Sequence, residues 1–118
     1  TLTVLPKSRI FLKNGMALLR VKWSEIALQR IYGIADFIAG DSRPAAARWI
    51  ASVFEEEKLI AENPYIGRMV PEFHREEYRE VIVKKYRIIY KVIGKEIFVL
   101  TAIGSRELIY SSRTSKDL

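Results

Sequence analysis

Three β-rich runs laid end to end constrain this chain more than any other feature: Arg79-Glu80-Val81-Ile82-Val83-Lys84-Lys85, then Tyr86-Arg87-Ile88-Ile89-Tyr90-Lys91-Val92, then Gly94-Lys95-Glu96-Ile97-Phe98-Val99-Leu100. β-Branched and aromatic residues suit a pleated, half-buried surface, and the short polar turns between the runs make them an antiparallel meander. The middle run carries Tyr86, Ile88, Tyr90 and Val92 on one face and Ile89 and Ile93 on the other, the pattern of a central strand covered on each side. Arg87 lies inside that run, on the face of Ile89 and Lys91. A guanidinium in a covered strand is costly to bury without an anion, which makes Arg87 the first candidate functional residue.

Upstream, Ala17 to Lys22 reads as a first strand that must pair with an edge of the meander to stay ordered. Ser24 can cap a following helix, Glu25 suits its positive end, and Trp23 can staple onto Leu28. Ala27, Leu28, Ile31, Ile34, Ala35 and Ile38 recur at helical spacing, and Gly40 is the expected stop. A second helix opens at Asp41-Ser42-Arg43-Pro44, with Ala47, Ile50, Ala51, Phe54 and Ala61 as its apolar stripe, and runs to Asn63-Pro64. Helices joined by so short a turn form an antiparallel pair. The expected class is α+β: an N-terminal helical hairpin packed on a small, mainly antiparallel β-sheet. Residues 1–15 are either an N-terminal extension or an edge strand, residues 16–110 form the compact domain, and 111–118 are a polar C-terminal tail.

Twenty Lys and Arg against fourteen Asp and Glu give a formal charge of +6, which favours anionic partners. The chain has no cysteine, hence no disulfide framework or thiolate site, in keeping with a reducing cytoplasm. No run approaches the ~20 apolar residues of a membrane span, so a cytoplasmic protein without a membrane partner is expected. Phosphate-loop, serine-elbow and zinc-helix motifs are absent, and no metal or cofactor is called for. His74 alone cannot serve as both acid and base, and reads as solvated in its polar loop. Glu55-Glu56-Glu57 fan out by about 100° each on a helix and read as a solvated face rather than a metal cluster. Arg79, Lys84, Lys85, Arg87 and Arg106 are different: around one concave face they would grip a phosphodiester backbone or another anionic target, although lysines in turns also serve simply to keep sheet edges soluble. Trp49 and Tyr32 read either as core or as an exposed aromatic patch for a partner.

Together, Trp23-Ser24 before an apolar helix, Asp41-Ser42-Arg43-Pro44-Ala45-Ala46, Asn63-Pro64-Tyr65-Ile66-Gly67-Arg68, Val70-Pro71-Glu72, Arg79-Glu80, Tyr86-Arg87-Ile88-Ile89-Tyr90 and Gly104-Ser105-Arg106 resemble the RelE/ParE superfamily of toxins over residues 17 to about 108. The resemblance implies a growth-inhibiting toxin of a type II toxin-antitoxin module, held inactive by an acidic, partly helical antitoxin that would contact Trp49, Tyr32 and Arg87. RelE-like members cut messenger RNA in the ribosomal A site; ParE-like members poison DNA gyrase and are not nucleases. On the RelE reading the catalytic set would be Arg87, Arg106, Lys84, Lys85 and Tyr110, and the enzyme would be a metal-independent endoribonuclease. Yet Tyr78-Arg79-Glu80 stands where RelE carries its base lysines, and an arginine whose pKa exceeds ~12 is a poor base. Gly67-Arg68, Val70-Pro71-Glu72 and Arg79-Glu80 look more like the ParE branch, so the resemblance leans to gyrase inhibition. A binding module without intrinsic activity is a third reading.

Overall fold

The computed structural model describes residues 7–109. Its elements are β1 (Ser8–Lys13), β2 (Met16–Trp23), α1 (Glu25–Asp41), α2 (Arg43–Glu62), β3 (Arg68–Met69), β4 (Tyr78–Val83), β5 (Tyr86–Ile93) and β6 (Glu96–Gly104). The strands form one six-stranded sheet in the order β1-β2-β6-β5-β4-β3. The expected architecture needs correcting on two points. A β-hairpin precedes the helices, so the helical pair is internal rather than N-terminal. The sheet is also mixed, because β2 runs parallel to β6. A parallel pairing requires a long covered crossover, and α1 and α2 supply it. The overall α+β class stands.

The first strand does pair with an edge of the meander, namely β6, and Ser24 fastens the junction: its N–H donates to Val99 O (3.0 Å) and its hydroxyl to Leu100 O (2.9 Å). Ser24 Oγ also accepts from Ala27 N (2.9 Å), capping α1 as expected. Gly40 does not stop that helix. α1 continues to Asp41, and the single residue Ser42 both ends it and caps α2, its Oγ accepting from Ala45 N (3.2 Å). The α2 stripe is rotated from the one expected. Ala46, Trp49, Val53, Glu57 and Ile60 are buried, whereas Ala47 and Ala51 face out.

Both helices lie on one face of the sheet, over a core containing Trp23, Ile31, Trp49, Val53, Ile88, Tyr90, Ile97 and Val99. On the opposite face Val70, Tyr78, Ile89, Ile103 and Ile109 form a smaller cluster, under the loop after β3 and the segment after β6. β5 is therefore covered on both sides, which is why its apolar residues do not alternate. Among the described residues no helix is long and apolar enough to cross a membrane.

β1 is more than an appendage. Arg9 lies over the Phe11 and Phe54 rings (5.1 and 4.9 Å) and binds the Glu57 carboxylate through Nη2 and Nε. Glu57, expected on a solvated face, is 2% exposed and also accepts from Trp23 Nε1 at 2.6 Å. Arg9→Ala removes the cation that this buried carboxylate faces. It should lower stability by about 1.5–3 kcal/mol in urea titration, and a loss under about 0.5 kcal/mol, the scale of an ordinary surface change, would mark β1 as dispensable.

Candidate functional site

The meander's central guanidinium finds its anions inside the protein. Arg87, 3% exposed, stands opposite Ile82 on β4 and Ile103 on β6. Glu80 on β4 is its diagonal neighbour and is 1% exposed. Arg87 Nε and Nη2 donate to Glu80 Oε1 at 2.8 and 2.6 Å. Its Nη1 and Nη2 donate to Glu72 Oε2 and Oε1 at 2.8 and 2.7 Å, and Nη1 donates again to Glu107 O at 2.9 Å. An arginine has five N–H groups, and these bonds use all of them. Glu80 Oε2 takes a further bond from Arg68 Nε (2.6 Å), and Glu72 Oε2 one from Ile109 N (3.2 Å). Two cations and two carboxylates form a neutral cluster that ties β3, β4, β5, the loop after β3 and the segment after β6 together.

The expectation that Arg87 is kept to meet an external anion is thus corrected, since Glu72 and Glu80 already occupy its donors. The sequence contained the signal, in Glu72 and Glu80, but not the sheet diagonal that joins them to Arg87. The Arg87 hydrogen bond holds the Glu72 carboxyl at about 2, against an ordinary 4.5, with burial opposing the shift. The same bond raises Arg87 further above its usual value. Because the folded pKa of Glu72 is depressed, its stabilising contribution is complete above about pH 4.5 and lost as the pH falls towards 2. The melting temperature should fall through that window, and Glu72→Gln should flatten the decline.

Arg79 is also committed within the chain. Its Nε donates to Glu76 O (2.7 Å), its Nη1 to Gly67 O (3.3 Å), and it lies over the Tyr65 ring at 4.9 Å. Next to it, Tyr90, fully buried, accepts from Gly67 N (3.0 Å) and donates to Pro64 O (2.7 Å); burial raises its pKa. A Cβ on Gly67 would stand 2.6 Å from both Glu80 O and the Tyr90 hydroxyl, so only glycine fits. Tyr90→Phe leaves both loop groups unpaired and should cost about 1–3 kcal/mol in a thermal melt; an unchanged melting temperature would mean water replaces the phenol.

The cations that remain open lie at one end of the sheet. Lys84 and Lys85 form the β4–β5 turn, Arg106 follows β6, and Ser105 N donates to Lys85 O at 2.7 Å, bringing the two segments together. All three side chains are exposed, and none forms an ion pair with another described residue. Lys85 and Arg106 border one depression of about 570 Å³. Lys84 has φ 58°, whereas the equivalent first loop position in the other two hairpins holds Asn14 (φ 52°) and Gly94 (φ 58°), residue types that tolerate this region. A lysine there is strained by about 1–2 kcal/mol.

Trp49 is 1% exposed and donates from Nε1 to Val83 O (3.2 Å), so it is core rather than a partner patch; Tyr32 is half-buried against the same core. His74 is exposed. Tyr110 lies outside the described residues. Among those residues no group of three or more His, Cys, Asp or Glu could hold a metal ion.

Residues 21–110 match the family described as ParE toxin of type II toxin-antitoxin system, parDE. No curated protein matches the sequence. Among solved structures, a chain of the chromosomal ParDE TA system from P. aeruginosa superposes with a TM-score of 0.59 at 21% identity, covering 71% of this chain and 92% of that one, a likeness of fold. With the family match spanning most of its length, the chain belongs to the ParE toxin family, the toxins of type II toxin-antitoxin modules.

Proposed function

We propose that this toxin arrests growth by binding and inhibiting DNA gyrase, without cleaving RNA, and that a cognate antitoxin neutralises it. The observation that carries the reading is the saturation of Arg87 by Glu72, Glu80 and the Glu107 carbonyl: the guanidinium that a nuclease would turn on a scissile phosphate has no donor to spare. The exposed Lys84, Lys85 and Arg106 supply charge for docking, and the strain at Lys84 is a cost a functional residue can justify. Arg79 cannot take the part of a general base. The test is a supercoiling assay with purified toxin; unaffected gyrase at stoichiometric excess removes the proposal.

One observation favours a ribosome-dependent messenger RNA endonuclease instead. Arg87 and Arg106 border a common depression of about 320 Å³ together with Glu72, and a phosphate that displaced the Glu72 carboxylate there would lie beside both. Primer extension on translated messages after induction distinguishes the two readings. Cuts within codons at the A site would favour this second mechanism, and intact transcripts would dismiss it.

A further inference from the structure

β1 ends the strand order, so its outer edge carries no further strand among the described residues. Trp23 N donates to Lys7 O at 2.7 Å, and bonding in an antiparallel ladder alternates from one residue to the next. Arg9, Phe11 and Lys13 therefore turn their backbone groups to β2, while Ser8, Ile10 and Leu12 turn theirs outward. The irregularity between Ile10 and Leu12 does not disturb this alternation. Ile10 faces Arg20 and Leu12 faces Ala17, so the extra residue lies on β2, and β1 itself stays regular.

An exposed edge is ordinarily guarded by charge, by proline or by a bulge of its own. β1 contains no proline, and both its cations point to the helix face, Arg9 onto Glu57 and Lys13 Nζ onto Glu62 Oε1 at 2.6 Å. Its other face holds only Ser8, Ile10 and Leu12, with Ile10 48% and Leu12 67% exposed. β1 and the first part of β2 also precede residues 21–110, so this edge lies outside the segment that matches the toxin family.

We infer that the outer edge of β1 pairs antiparallel with the same edge of a second copy of this chain, about a two-fold axis at Ile10. That register sets Ile10 against its own copy and Ser8 against Leu12 of the partner subunit. Each of the three residues then exchanges its N–H and its C=O with the residue opposite, and the two isoleucines pack side by side. The edge has no unpaired charge with which to select an acidic or a basic strand, whereas a two-fold contact asks only that one surface complement itself. The inference rests on β1 and is independent of the toxin's target.

The test is sedimentation equilibrium of the full chain over a concentration series, comparing the wild type with Ile10→Lys and Ile93→Lys. Ile93 is 50% exposed at the end of the interior strand β5, so it controls for the loss of an exposed apolar side chain. Both sites are exposed, and circular dichroism should show each variant folded. Ile93→Lys should dimerise within about threefold of wild type, its new charge being distant from the axis. Ile10→Lys sets like charges opposite each other and should weaken dimerisation by at least about tenfold. The register is read separately by cross-linking, since the chain has no cysteine of its own. In Ile10→Cys the paired Cα atoms would stand about 5.5 Å apart, within disulfide reach, whereas in Leu12→Cys they would stand roughly 13 Å apart. Mild oxidation should join Ile10→Cys into a dimer and leave Leu12→Cys unlinked. A wild type that stays monomeric up to its highest soluble concentration overturns the proposal. So does a dimer that Ile10→Lys leaves intact, or one that Leu12→Cys links as fast as Ile10→Cys.

Discussion

Arg87→Leu should lower the stability of this protein by about 3–5 kcal/mol, the cost of leaving a buried charge without its partner. Glu80, 1% exposed, would keep, among the described side chains, Arg68, whose own side chain is 60% exposed, and Glu72 would lose both bonds to Arg87, the largest cause of its lowered pKa. Against the ~5–15 kcal/mol that holds a typical domain together, such a loss leaves little folded protein on warming. Urea and thermal denaturation measure it directly, and a melting temperature within a few degrees of wild type would mean that the cluster is not what holds the loop after β3 and the segment after β6 on the sheet. Arg87→Lys should fall between, because a single ammonium cannot reproduce a planar fork with five donors.

The same substitution would abolish toxicity, and that result alone would resemble the loss of a catalytic residue. A triple replacement, Arg87→Met with Glu80→Leu and Glu72→Gln, separates the two explanations. Buried ion clusters replaced as a unit by apolar residues often fold as well as the original, and the side-chain amide introduced in place of the Glu72 carboxylate would still accept from Ile109 N. If Arg87 serves only to hold the fold, the triple variant should regain both stability and growth inhibition. A well-folded triple variant without toxicity would return Arg87 to the functional surface.

The meander is legible because its residues repeat a pattern that few other structures satisfy, and β5 is central and doubly covered as its apolar residues require. Less legible is anything that depends on which distant charges meet. Glu57 and Arg9 are 48 positions apart, and only the docking of β1 beside β2 and α2 turns an apparently solvated glutamate into a buried ligand for a guanidinium. The α2 stripe is hard to place for the same reason, since a glutamate on the core side contradicts helix periodicity until its partner is known. Arg87 stands out as unusual from sequence alone, but periodicity locates a charge without naming its counterion. Glu80 lies seven residues away in sequence yet diagonally adjacent across two strands, and Glu72 arrives from a loop with no period at all. Phe37 is obscured in another way: it falls outside the apolar stripe that helical spacing picks out on α1, and only the structure shows it 74% exposed.

Removing the open cations at the end of the sheet should separate activity from stability in the direction opposite to Arg87. In Lys84→Gly the strained position in the β4–β5 turn receives the residue that Gly94 already provides in the next hairpin. The relief of about 1–2 kcal/mol is partly offset by the greater freedom of glycine in the unfolded chain, so stability should hold or rise by up to about 1 kcal/mol. Adding Lys85→Ala and Arg106→Ala touches only exposed side chains, while the Ser105 N to Lys85 O bond, made by backbone, persists. If these three charges dock the toxin on an acidic or phosphate-bearing surface of its target, the triple variant should melt no lower than wild type. It should still need at least about a hundredfold more protein for half-maximal inhibition, because each lost contact to an opposing charge weakens binding several-fold and the three act on one surface. Wild-type inhibition should weaken steeply with added salt, whereas the residual inhibition of the variant should be nearly insensitive to it. A stable triple variant that inhibits as strongly as wild type, with the same salt dependence, would show that the strain at Lys84 serves some purpose other than contact with the target.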